Sequence, residues 1–175
     1  IGGLVVVKGL ELCKRIYFVQ NGFGAVLGPQ DCWLLLRGLK TLKVRMDYQQ
    51  QGAIVLANWL QAQPEVKAVY YPGLSSHPGF EINASQADGP GAVLSFETHD
   101  TQTARRFMEK VQHAAVAVSL GGVETILSYP VKMSHAAMPK AEREKRGISD
   151  CLMRVSVGLE DIDDLIEDFG QALRS

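Results

Sequence analysis

The sequence predicts an α+β fold in which helices pack on a small sheet, preceded by a strand and a long helix. Three observations predict it. Short apolar runs alternate with segments of helical spacing through the second half of the chain. An extended helical pattern, from about Asp31 to Gln61, stands before them. The last segment carries one continuous apolar stripe behind a group of acids. Helices and a sheet that each have one apolar face bury them against each other in layers.

Leu4 to Val7 is an unbroken apolar run, mostly valine, and reads as a buried strand. Leu10 to Gln20 follows with Leu10, Cys13, Ile16 and Tyr17 at helical spacing, and Asn21-Gly22 and Gly24 are expected to stop it. In the long helical segment, opened by Pro29, the stripe runs through Leu35, Leu39, Leu42 and Met46 and resumes at Ala53, Leu56, Ala57 and Leu60. Gly38 and Gly52 weaken it, and a kink is expected near Gly52. Lys67 to Tyr71 reads as a strand closed by Pro72-Gly73, and Leu74 to Pro90 as mostly loop. Ala92 to Glu97 is a strand, and Thr101 to Gln112 a helix with Ala104, Phe107, Met108 and Val111 inward. Ala114 to Val118 and Val123 to Ser128 are strands around a glycine turn, and Leu152 to Val157 is another strand. The final helix, Asp161 to Leu173, aligns Ile162, Leu165, Ile166, Phe169 and Leu173, with Glu160, Asp161, Asp163 and Asp164 in its first turn.

Composition narrows the function. The 175 residues suffice for a domain with a real core, and 46% hydrophobic with 21% charged residues is ordinary for a globular protein. A formal net charge of −1 argues against a nucleic-acid partner. No apolar run is long enough to cross a bilayer and no signal-peptide pattern is present, so a cytoplasmic protein is expected. Cys13, Cys32 and Cys151 are widely spaced and read as reduced thiols. His77, His99, His113 and His135 share no metal-ligand spacing, which speaks against a metal site. Glu142-Arg143-Glu144-Lys145-Arg146 reads as a solvated helical turn.

Two stretches point to chemistry. In Val118-Ser119-Leu120-Gly121-Gly122-Val123-Glu124-Thr125, paired glycines allow a turn with exposed backbone N–H groups, suited to close approach of an anion. In Leu152-Met153-Arg154-Val155-Ser156-Val157-Gly158, alternation puts Met153, Val155 and Val157 on one face and Leu152, Arg154 and Ser156 on the other. An arginine in so apolar a strand needs a partner, and a carboxylate held by its guanidinium fork is the natural candidate. Snorkelling to solvent, or pairing with a structural acid at a sheet edge, is the plainer alternative.

These stretches, with Tyr129-Pro130, Met133-Ser134-His135-Ala136, Glu142 to Ile148 and Arg154 to Asp161, resemble the C-terminal part of the pyridoxal-phosphate-dependent cystathionine lyase and synthase family. The resemblance runs over essentially the whole chain. It implies the C-terminal domain of a fold-type-I enzyme, with a mostly antiparallel sheet. Residues 1–63 would then be the end of the cofactor-binding large domain and a connecting helix, and 64–175 the substrate-carboxylate domain, with the boundary near Gln63-Pro64. Arg154 would clamp the substrate α-carboxylate, aided by the backbone at Ser119 and Leu120, with the Ser119 hydroxyl beside the cofactor–lysine linkage. Glu124 and Ser134 would line the substrate pocket and influence specificity.

The resemblance also implies a Schiff-base lysine, a pyridine partner and a phosphate cradle. No lysine of this chain stands in the family's motif context, so that lysine is expected upstream of residue 1 and no catalytic residue within the chain. The chain, which opens Ile1-Gly2-Gly3 without methionine, is expected to be a fragment that is inactive alone. Its partners would be an amino-acid substrate, the missing N-terminal domain and further copies in a homo-oligomer, tetrameric in the family. The implied activity is β-elimination from cystathionine to homocysteine, pyruvate and ammonia, with γ-lyase or γ-synthase chemistry as the alternative. A non-catalytic ligand-binding or oligomerisation module remains the alternative of another kind.

Overall fold

The computed structural model describes residues 2–175. They form two compact units, one up to Val44 and one from Arg45 to Ser175.

The first unit holds helices α1 (Leu10–Phe23) and α2 (Pro29–Leu39), neither of which has a buried residue. Pro29 takes the first helical position of α2, where its missing N–H costs nothing. Helix α1 runs through Asn21-Gly22 and ends only at Gly24, whose φ of 65° is the left-handed geometry that glycine accepts. Leu4 to Val7 is not a strand: it lies unpaired, with Leu4 and Val6 89% and 84% exposed. A buried strand needs neighbours for its backbone and both faces, and no strand of the described sheet pairs with this run.

The long helical segment is two helices. The break falls at Lys40–Thr41, not at Gly52. The N–H of Thr41 donates to Gly38 O at 3.4 Å, tightening the end of α2 into a short turn, and α3 (Leu42–Gln61) then carries the chain into the second unit.

The second unit is a two-layer α+β structure. Its sheet contains β1 (Val66–Tyr70), β2 (Val93–Thr98), β3 (Ala115–Val116), β4 (Ile126–Ser128) and β5 (Leu152–Ser156), in the order β1-β2-β5-β4-β3. All pairings are antiparallel except β3 with β4. The segment 74–90, expected as loop, includes a short helix α4 (Phe80–Gln86), too brief to show a period.

Alternation along β5 decides which layer is which. Met153 and Val155 are buried against Phe96, Leu94 and Leu127 on one face, where α3, α5 (Thr101–Lys110) and α7 (Ile162–Arg174) complete the core. Phe107 meets Phe96 and Phe169 edge-on, at centroid distances of 5.4 and 5.0 Å. Helix α5 is capped by Asp100, which accepts from Thr103 N at 2.8 Å, and α7 by Asp161, which accepts from Asp163 N at 2.9 Å. Asp168, buried in α7, accepts from the N–H groups of Gln112 and His113 and so anchors the chain leading into β3.

The mixed-charge stretch forms α6 (Lys140–Lys145), a solvated helical turn in which Glu142, Glu144, Lys145 and Arg146 are exposed and Arg143 alone is drawn in. Arg143, only 11% exposed, pairs with Asp150 at 2.9 Å, and Lys140 reaches the same carboxylate at 3.2 Å. Both cations hold the Asp150 carboxyl below its usual range, the Arg143 hydrogen bond being the larger cause.

Candidate functional site

The site is built on the sheet face away from the helices. Arg154 occupies the middle of β5, which is an interior strand, not an edge. Its cross-strand neighbours are Ser95 on β2 and Ser128 on β4, two small side chains that leave the guanidinium room. Nη2 of Arg154 donates to Ser119 O at 2.7 Å and to Ser128 Oγ at 3.2 Å. Nε is buried without an acceptor. Among the described residues, no carboxylate lies within ion-pair distance of Arg154. Of the plainer readings, a structural acid at a sheet edge is therefore not met among the described residues.

The glycine-bearing loop joins β3 to β4. Because these strands run parallel, the loop is a return crossing over the sheet end and not a hairpin. Gly121 adopts φ 77°, which a residue with a Cβ tolerates poorly. Such a loop is costly to order, and hydrogen bonds from several segments hold it. Ser156 Oγ accepts from Gly121 N at 2.8 Å, and Gln49 Nε2 donates to Gly122 O at 2.7 Å. Leu159 N donates to Val123 O at 2.8 Å. Thr125 N donates to Glu160 Oε1 at 2.7 Å, and its hydroxyl to Glu160 Oε2 at 2.6 Å. A further tie is Arg154 itself, on Ser119 O.

Thus the structure brings Arg154 and Ser119 together, with the exposed Leu120 next along the loop. Glu124 presents an exposed side chain further round the same loop. Ser134 lies in the turn after Pro130–Lys132, its hydroxyl 2.9 Å from His135 Nδ1.

Five supporting residues escaped the sequence reading: Gln49, Thr125, Ser128, Ser156 and Glu160. Ser156 and Ser128 carried a faint signal as hydroxyls in apolar strands. Glu160 was hidden among the acids assigned to the start of the last helix. In the structure the cap is Asp161, and Glu160 turns to Thr125 instead. Gln49 gave no signal, being 73 positions from its partner.

All nine lysines have exposed side chains. Cys13, Cys32 and Cys151 are free thiols. Among the described residues no cluster of His, Cys, Asp and Glu could hold a metal ion, and no helix is long and apolar enough to cross a membrane.

The family model for Cys/Met metabolism PLP-dependent enzymes matches residues 1–174. Cystathionine beta-lyase MetC of Bacillus subtilis is 59% identical over 174 residues, covering 99% of this chain and 45% of that protein. Cystathionine gamma-lyase of the same organism is 46% identical over 175 residues, covering 100% of this chain and 46% of that protein. A solved structure from Campylobacter jejuni, assigned as an O-acetylhomoserine (thiol)-lyase with a pyridoxyl-lysine monophosphate, superposes with a TM-score of 0.83 at 39% identity. That match covers 87% of this chain and 37% of the solved one. The chain thus spans about half the length of the curated relatives it matches.

Proposed function

As the chain belongs to the Cys/Met metabolism PLP-dependent enzyme family, we propose that its second unit binds the α-carboxylate of an amino-acid substrate for a carbon–sulfur lyase. One observation carries this: Arg154 is fixed by Ser119 and Ser128 yet, among the described residues, has no acid of its own. A half-buried guanidinium without a counter-charge is costly to keep, and a bound carboxylate would offset that cost. The Ser119 carbonyl and Ser128 hydroxyl orient the fork before the ligand arrives, so less freedom is lost on binding. Glu124 and Ser134 would shape specificity on the solvent side.

Pyridoxal phosphate in such a lyase takes up the electron pair released when the α-proton leaves. The residues of this chain do not hold that group by themselves. A Schiff-base lysine works from a desolvated pocket, and each lysine here is exposed. The reading is therefore that this chain supplies the amino-acid end of the site, and that a lysine outside it supplies the cofactor end. On this reading residues 1–175 are catalytically silent alone, and the domain boundary lies near Gln63-Pro64.

For the whole protein the reading is β-elimination: cystathionine and water give homocysteine, pyruvate and ammonia. The higher identity to a β-lyase than to a γ-lyase supports it, while the γ-lyase match keeps cysteine and 2-oxobutyrate as the second outcome. The test is product analysis with the full-length, cofactor-loaded protein. Pyruvate with free homocysteine is expected, and Arg154→Ala should raise KM at least about tenfold, as loss of a charge-assisted contact does. An unchanged KM would remove Arg154 from the substrate site.

A further inference from the structure

The loop over Arg154 is held from one side by a clasp whose chemistry is more specific than packing requires. Glu160 places one carboxylate oxygen on Thr125 N at 2.7 Å and the other on Thr125 Oγ1 at 2.6 Å. The same hydroxyl accepts from Gly158 N at 2.8 Å, so its proton is committed to Glu160. Gly158 makes the approach possible: a Cβ there would collide with Thr125 N and the Glu124 carbonyl carbon. Glu160 has no helix-capping duty, since Asp161 performs it. Along the loop from the clasp stand Gly122, Gly121 and then Ser119, whose carbonyl takes the Arg154 hydrogen bond.

We infer that Glu160 is a positioning residue: through Thr125 it sets where the Ser119–Gly122 backbone lies over Arg154, and so how tightly a substrate carboxylate is held. The inference rests on the carboxylate-binding reading of Arg154. Two bonds on one residue fix both the position and the rotation of the Thr125 peptide, which a single bond would not. Five residues, two of them glycines, separate that peptide from Ser119, and glycines transmit position only when the flanking backbone is fixed. Ser156 on Gly121 N and Gln49 on Gly122 O then hold the span between. Without the clasp, Ser119 O would move relative to Nη2 and the fork would lose its preset orientation.

The experiment uses the full-length, cofactor-loaded protein and compares inhibition by an amino acid and by the same compound lacking its α-carboxylate. The ratio of the two affinities reads the carboxylate contact alone. Glu160→Ala should lower that ratio about tenfold while kcat changes less than about twofold. Glu160→Gln, which keeps an acceptor for Thr125 N, should recover most of it. Hydrogen exchange at Gly121 and Thr125 should quicken in Glu160→Ala and stay unchanged at core amides around Phe107. If Arg154→Ala abolishes the ratio but Glu160→Ala leaves it intact, the positioning role is overturned and the carboxylate site stands. If Arg154→Ala leaves the ratio intact, both fall. Equal weakening of the two ligands by Glu160→Ala would mark a merely structural residue and also overturn the role. Should Glu160→Ala fail to fold, Glu160→Asp draws the carboxylate back from Thr125 by one methylene, and an unchanged ratio there would likewise refute it.

Discussion

Three arginines have three different fates. Arg143 pairs with Asp150, Arg106 donates to Leu173 O near the end of α7, and Arg154 donates to Ser119 O and Ser128 Oγ with, among the described residues, no acid partner. Only the last has a position that alternation reveals, because β5 is apolar on both sides of it. The Arg143–Asp150 pair was not legible, since a loop brings the two together around Gly147. It has a checkable consequence. A carboxyl whose native pKa is depressed contributes stability above its unfolded value near ~3.9, and loses it as pH falls through the native value. Asp150→Asn should therefore lower the urea midpoint at neutral pH and converge with the parent chain in strong acid. A constant gap across that range would contradict the assignment.

At the scale of elements, the α2–α3 boundary shows how glycine misleads when read alone. Gly52 costs helix propensity but remains within α3, where it faces Val157 and Ile162 of the second unit. A Cβ at Gly52 would sit 3.5 Å from Val157 Cγ1 and 3.6 Å from Ile162 Cδ1, which is ordinary contact. Gly52→Ala should stabilise the chain by about 0.5–1 kcal/mol, removing backbone freedom from the unfolded state without strain. A fall in thermal midpoint would mean that the helix needs closer approach than those distances imply. Gly38, in contrast, ends its helix because Thr41 bonds back to it and Leu42 begins a new one. The strands divide similarly: β2 and β5 were legible as alternating runs, whereas Leu4–Val7 has the composition of a strand and lacks a neighbour.

For the whole molecule, the two units differ in what covers their apolar surface. The second has a core of aromatic and aliphatic side chains from α3, α5, α7 and the sheet. The first exposes Leu4, Val6, Phe18, Phe23 and Leu36, among others, each more than half accessible. Apolar surface on that scale marks an interface. The isolated chain should self-associate, and sedimentation at rising concentration should show species heavier than the 19.1 kDa protomer. A clean monomer at high concentration would show that this surface tolerates water.

The sequence by itself determined the helix stripes of α5 and α7, the two faces of β5, the glycine loop and the place of Arg154 opposite the core. Each is a local periodicity, set by how one residue follows the next around its own axis. Tertiary structure alone decided that β3 and β4 run parallel, that Arg154 meets Ser119 and Ser128, and that Glu160 leaves the helix start for Thr125. Those depend on which segments meet across 35 positions of chain, as Glu160 and Thr125 do. A hydrogen bond formed at that separation leaves no periodic trace in either segment.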